Sequence, residues 1–204
     1  MKSLYKNEQS GRSMVEMLGV LAIIGVLSIG GISGYSKAMA KYRVNKTLDQ
    51  ISMLVINIRT LFSSSVNYDG LDAPLAIGVG IIPGDMKNGS GSSATIINSY
   101  QGSVNIGNPG NDVRRFYINY TDLNSEACVS ISTADWGTQT GSGLEAIVVD
   151  PTNSAEVSAV PTAGAAPADG GKGTFVVGDN IPISLANANK SCQGEKNSIT
   201  WYYY

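Results

Sequence analysis

The stretch MLGVLAIIGVLSIGGISGYS, residues 17–36, carries no charged side chain. About 20 apolar residues in a helix match the hydrocarbon thickness of a bilayer. We therefore predict a membrane-embedded helix. A secretory signal peptide is the main alternative, since Lys2, Lys6 and Arg12 precede the apolar run. Glu16 at the start of the run argues against it, as does a helical pattern that continues past the run without a small-residue cleavage site.

Downstream of the apolar run the pattern becomes amphipathic. This spacing predicts one helix over residues 13–64, on the order of 75 Å long at 1.5 Å per residue. Its first half would lie in the membrane, and its second half would pack an apolar stripe on a sheet. A short coiled coil is the alternative for that stripe. Its members recur at spacings of four and three and are Val44, Leu48, Ile51, Val55, Ile58 and Phe62.

The rest of the chain reads as a loop-rich β domain, since only 15% of the residues are charged and 24 are glycine. Residues 74–86, PLAIGVGIIPGDM, predict a short helix that ends near Pro83. One long helix with several short strands implies an α+β domain with an antiparallel sheet. The predicted strands cover residues 95–97, 103–106, 116–120, 144–149, 174–177 and 199–203.

Cys128 and Cys192 are the only cysteines, and they flank a long Gly/Pro-rich stretch. A disulfide is the interpretation that suits an oxidising compartment. A metal site is the alternative, although the chain has no His and no CxxC pair. Between the cysteines lies a low-complexity run, residues 151–173, which is either a disordered loop or a surface patch that meets other molecules.

Composition and motifs exclude most catalytic chemistry. The absence of His excludes triads and proton relays that depend on it, and no nucleophile-elbow or phosphate-loop motif occurs. We predict neither an enzyme nor a cofactor or metal site. A net charge of −2 gives no electrostatic footprint for nucleic acid.

Residues 11–16, GRSMVE, together with the apolar run, resemble the type III signal of prepilins. In that family a Gly precedes the cut, and the fifth residue of the mature chain is Glu. The resemblance implies that a prepilin peptidase cuts between Gly11 and Arg12 and that the new terminal amine of Arg12 becomes methylated. Arg12 stands where the family usually has Phe, Met or Leu.

Further segments are similar to type IVb major pilins, especially those of thin conjugative or adhesive pili. They are IIPGDM (81–86), INSYQGSVNI (97–106), the acidic turn LNSEAC (123–128) and NSITWYYY (197–204). The resemblance implies the pilin fold, with Cys128 and Cys192 clasping a variable surface region. It divides the chain into a leader, a membrane and polymerisation half of the helix, an amphipathic half and a globular head, at residues 1–11, 12–36, 37–65 and 66–204.

The same resemblance assigns roles in a polymer. A carboxylate in a membrane helix needs a partner, and in pilins the inferred partner of Glu16 is the terminal amine of a neighbouring subunit. The alternative is that Glu16 merely lies at headgroup level. Gly30 and Gly34 form a small-xxx-small face for close helix packing, although Gly is also frequent in membrane helices generally.

The function implied is that of a structural subunit of a type IV pilus, serving adhesion, aggregation or conjugation. Its expected partners are copies of itself, the membrane before assembly, the prepilin peptidase, and an inner-membrane assembly platform with its ATPase. Its expected location is the inner membrane as a precursor and then the extracellular pilus. The alternatives are a minor pilin or type II secretion pseudopilin, and a single-pass anchored binding domain.

Overall fold

The computed structural model describes residues 14–137 and 142–204. The predicted leader, the cleavage site at Gly11 and Arg12, and the predicted helix start at Ser13 lie outside the described residues. The described chain divides into two units between Lys41 and Tyr42, and the second unit is Tyr42–Tyr204.

Helix α1 runs over Met14–Leu61 and has 48 residues, close to the predicted 13–64. It contains no Pro, and it ends just before three consecutive serines at 63–65, which compete for backbone hydrogen bonds. The helix is long and apolar enough near its start to cross a membrane, by length and composition. None of the side chains in that apolar window is buried within the protein.

The carboxyl-terminal part of α1 is amphipathic, as predicted. Ile51, Leu54 and Ile58 are fully buried in the main hydrophobic cluster. Each such side chain stabilises the fold by about 1.5–3 kcal/mol when removed from water. The stripe packs on the sheet of the head and does not form a coiled coil. Thr47, Gln50 and Val55 complete the buried face, with Val44, Leu48 and Phe62 partly buried at its margins.

The described residues of the head hold seven strands, and every predicted strand is present within three residues of its expected ends. They are β1 (Lys87–Asn88), β2 (Thr95–Ile96), β3 (Val104–Gly107), β4 (Phe116–Leu123), β5 (Leu144–Asp150), β6 (Gly173–Val176) and β7 (Asn197–Tyr203). Strands β1 and β2 pair separately, and the others form one sheet in the order β3-β4-β7-β5-β6. Every neighbouring pair is antiparallel, which confirms the predicted α+β class.

The core lies between α1 and the inner face of this sheet. Trp201 of β7 pairs in register with Ile118 of β4 on one side and Ile147 of β5 on the other, and all three side chains are fully buried. Tyr120 and Trp136 pack edge-on and tilted against Trp201, at centroid distances of 5.7 and 5.0 Å. The central strand therefore carries the largest buried side chain.

Three short α-helices complete the described part of the head, and two of them were not predicted. Helix α2 covers Ala73–Gly78. It ends well before the predicted end at Pro83, because Gly80 follows with a φ of 77°. Helices α3 (Ser125–Ser132) and α4 (Leu185–Ser191) are capped at their amino ends by Asn124 and Ser184, whose side chains accept hydrogen bonds from the backbone N–H groups of Ala127 and Asn187.

The low-complexity run packs against the outer face of the sheet. Val157 and Val160 contact a second small cluster formed by Ala146, Val148 and Tyr202. We call residues 151–163 the cover segment. The cover segment therefore helps to bury the middle of the outer face, at Ala146, Val148 and Tyr202.

Candidate assembly surface and the head that supports it

The amino-terminal part of α1 presents a continuous apolar surface with no partner inside the described chain. Met14 and Ile29 are 83% and 73% exposed, and Ile24 and Tyr35 are also largely exposed. Exposed apolar surface of this extent marks a membrane or protein interaction site. Its helical form satisfies the backbone hydrogen bonds internally, which suits either a bilayer or a bundle of similar helices.

Glu16 lies in the first turn of α1 and is exposed. A carboxylate at this position interacts favourably with the positive end of the helix dipole. It is the only ionisable side chain between Met14 and Tyr35 in the sequence. Glu16 is therefore the one charge that any partner of this apolar surface must accommodate.

Gly30 and Gly34 lie one turn apart on the same face of α1. A Cβ atom built at either position would meet nothing within 4 Å. The notch that these glycines form is therefore open to a neighbouring helix. Glu16 and Gly30 are separated by 14 residues, or about 21 Å along a helix at 1.5 Å per residue, so they cannot contact a single small partner group together.

Cys128 and Cys192 are joined as a disulfide. Cys128 lies in α3, Cys192 caps the carboxyl end of α4, and their Cα atoms are 5.7 Å apart. Both side chains are buried. The bond links α3 to α4. It closes the chain between them, which includes the cover segment, into a loop whose two cysteines are 64 positions apart in sequence.

An ion-pair cluster joins the start of β4 to β5. The Arg115 guanidinium donates to both carboxylate oxygens of Glu145 and to Asp112, and it lies 6.0 Å from the ring centroid of Tyr204. These bonds raise the pKa of Arg115 and, with the backbone N–H of Arg114, hold the pKa of Asp112 below its usual range. No local sequence pattern predicts this cluster, because 30 residues separate Arg115 from Glu145.

Polar contacts hold the cover segment on the sheet. The amide of Asn119 donates to the Ser154 backbone oxygen at 3.4 Å and to the Thr200 hydroxyl at 2.9 Å, and Asn119 is fully buried. Burial raises the pKa of Tyr202 to about 12, although a hydrogen bond with Ser158 lowers it. The cover segment is thus part of the folded head.

No site for metal chemistry is visible in residues 14–137 and 142–204, where no group of three or more His, Cys, Asp or Glu side chains could hold an ion. The described residues do provide an exposed apolar helix segment, with Glu16 as its one carboxylate, and a head whose chain is closed by a disulfide.

Two solved structures share this fold. A type IVb pilin from Salmonella typhi superimposes with a TM-score of 0.52 over 78% of this chain and 98% of that chain, at 19% identity. TcpA, a type IV pilin from Vibrio cholerae El Tor biotype, superimposes with a TM-score of 0.56 over 80% of this chain and 99% of that chain, at 18% identity. The fold is that of the type IVb pilins.

Sequence comparison then gives the family. The family model described as PilS N terminal matches residues 41–203. The chain belongs to this family, and it is a pilin, a structural subunit rather than an enzyme. The major structural subunit of the bundle-forming pilus of Escherichia coli O127:H6 is 27% identical over 138 residues, covering 67% of this chain and 70% of that protein. The corresponding subunit of Escherichia coli O111:H- matches to the same extent.

Proposed function

We propose that this chain is the major subunit of a type IVb pilus, inserted in the inner membrane as a precursor and assembled by lateral packing of α1 after removal of residues 1–11. The observation that carries the proposal is the exposed apolar surface of α1, with a single carboxylate in its first turn. Such a surface is stable in lipid before assembly and against other copies of itself afterwards.

Leader removal would occur between Gly11 and Arg12 and would make Glu16 the fifth residue of the mature chain. A prepilin peptidase would perform the cut, and methylation of the Arg12 amine would follow. Mass spectrometry of the mature amino terminus tests this step directly. A mature chain that begins at any residue other than Arg12 would contradict the assigned site.

Glu16 would set the register of each new subunit. A carboxylate inside a bilayer costs up to about 3 kcal/mol, less near the interface. Pairing with the freed amine of a neighbouring subunit removes that cost only when the two helices are correctly staggered. The apolar side chains supply attraction without direction, so the charge pair supplies the alignment. Gly30 and Gly34 would then let neighbouring helices approach closely.

An assembly platform with its ATPase would supply the work of extracting the helix from the membrane. The finished pilus would lie outside the cell and serve adhesion, aggregation or conjugation. The bundle-forming pilus subunits among the relatives support the role of an abundant subunit over that of a minor pilin or pseudopilin.

The test compares Glu16→Gln with Asp49→Asn in cells that carry no other copy of the gene. Both changes neutralise one exposed carboxylate of α1, but Asp49 lies outside the apolar segment. We expect Glu16→Gln to be processed normally and to yield few or no sheared pili, whereas Asp49→Asn should match the unaltered protein. Full-length pili at normal yield from Glu16→Gln would refute the alignment role.

Gly11→Ala separates the remaining alternatives. Blocked processing should leave a precursor in the inner membrane and no pili. A single-pass anchored binding protein would retain its activity in this variant. A pseudopilin would give no long surface filaments even from the unaltered chain.

A further inference from the structure

The peptide bond between Asn88 and Gly89 is exposed on the β1–β2 hairpin. Both residues are solvent-exposed, and Gly89 has a φ of 84°. The pair is the only Asn-Gly dipeptide in the sequence. A Cβ built at Gly89 would find its nearest neighbours at 3.7 Å, so no atom packs tightly against this glycine.

We propose that Asn88 is a site of spontaneous deamidation in the folded protein. The Gly89 backbone nitrogen attacks Cγ of Asn88, a new C–N bond forms, and the side-chain amide leaves as ammonia with the proton of the Gly89 N–H. Water then opens the resulting succinimide at either carbonyl. The net reaction consumes one water and releases one ammonia, and it gives aspartate or isoaspartate at residue 88 without any change of oxidation state.

Steric access selects this site among asparagines. The reaction requires the following residue's nitrogen to reach Cγ, and a side chain on that residue hinders the approach. Glycine has none, and serine is the next smallest residue that follows Asn repeatedly in this chain. Four Asn-Ser pairs therefore provide internal comparisons, at Asn98, Asn124, Asn153 and Asn197.

Hydrogen bonds hold the side chains of two of these four asparagines within the folded head. Asn98 accepts from the backbone N–H groups of Tyr100 and Gly102 and donates to the Thr121 oxygen at 2.8 Å. Asn197 accepts from the Gly194 N–H and donates to the Leu123 oxygen at 3.0 Å. Both residues are buried. Their amides cannot rotate toward the next nitrogen without losing these bonds.

The other two Asn-Ser pairs are fixed at the surface. Asn124 caps α3 by accepting from the Ala127 N–H at 2.9 Å. Asn153 accepts from the Asp122 N–H at 2.7 Å and donates to the Asp122 carboxylate. The side chain of Asn88, by contrast, has no hydrogen-bond partner among the described residues. The fold thus restrains the four slower sites and leaves the fastest one free.

Both products change the hairpin. Each adds a negative charge beside the exposed Lys87. Isoaspartate also routes the main chain through the side-chain carbon, which inserts one extra backbone atom next to the Asn88–Thr95 pair. The modification therefore alters the local charge and the end of a two-residue strand pair, but leaves the five-stranded sheet intact.

The test incubates the purified full-length chain in detergent at mildly alkaline pH and follows each asparagine by peptide mass spectrometry, with a parallel sample in urea. We expect residue 88 to gain the mass of an NH2-to-OH exchange at a similar rate in both samples. The four Asn-Ser sites should react only in urea. Asn88→Gln, which keeps a neutral amide but hinders ring closure, should lose the fast reaction.

Two outcomes would overturn the proposal. One is a residue 88 that stays unmodified in the folded chain while it reacts in urea, which would mean that the hairpin protects it. The other is modification of the Asn-Ser sites in the folded chain as fast as residue 88. Tryptophan fluorescence, which reports Trp136 and Trp201 in the head, confirms that the detergent sample remains folded throughout.

Discussion

Removal of the Cys128–Cys192 bond should lower the stability of the head by about 4 kcal/mol. The estimate comes from the sequence separation of 64 between the cysteines, because a crosslink that closes a loop of this length lowers the conformational entropy of the unfolded chain. Both cysteines are buried, so alanine, which is small and apolar, is the suitable replacement at each site. The variant is therefore the double change Cys128→Ala and Cys192→Ala.

Urea unfolding of the full-length chain in detergent measures the effect. Trp136 and Trp201 are the only tryptophans and lie against each other in the head, so their fluorescence reports head unfolding and not the apolar helix. With a typical urea dependence for a domain of this size, the midpoint should fall by about 2 M.

Chemical reduction of the unaltered chain serves as the control, because it breaks the bond without changing any side chain except the two sulfurs. Reduction and double substitution should shift the midpoint by similar amounts. A midpoint that moves by less than about 0.5 M in both experiments would refute the loop-closure reasoning.

Three further changes test the head by the same fluorescence assay. Ile58→Ala should destabilise it by about 3 kcal/mol because Ile58 is fully buried, whereas Ile56→Ala, at a position 62% exposed, should cost less than about 0.5 kcal/mol; equal effects would contradict the assigned helix face. Asn124→Ala should cost about 1 kcal/mol by removing the cap of α3, and no loss would mean that this hydrogen bond adds nothing to stability. The hydrogen bond from Lys196 holds the pKa of Asp122 below its usual value. The pair therefore stabilises the head fully above the unfolded pKa of the carboxyl, and this contribution is lost as the pH falls through the lower folded pKa. Lys196→Met should weaken this dependence of stability on acid pH, and an unchanged pH profile would refute the role of the pair.

Patterns with a regular period were enough to predict the frame of the molecule. The charge-free run at 17–36 and the stripe from Val44 to Phe62 predicted α1, and short strand-like runs predicted the strands of the sheet. The predicted stripe did not include Leu54 and Thr47, which are also buried. The buried face of the helix is wider than a single row of apolar residues, so side chains next to the predicted row are buried too.

Short helices and long-range contacts were not predictable in this way. Helices α3 and α4 have eight and seven residues, too few for a period to stand out, although Asn124 and Ser184 are usable cap signals. The cover segment has no period at all, and its position depends on Asn119 and Tyr202, which come from distant strands. The proposed roles of Gly11, Arg12, Glu16, Gly30 and Gly34 remain predictions for the experiments above.

Strand β7 lies between β4 and β5 although it follows every other described strand in sequence. The strand pairs β3–β4 and β5–β6 share no strand-to-strand backbone hydrogen bonds with each other, so β7 must be in place before they join into one sheet. Until then each strand pair exposes an unpaired edge that could capture a strand from another copy. A head whose β7 has not yet paired is therefore prone to wrong strand pairing with another copy, and keeping such heads apart during export would prevent it.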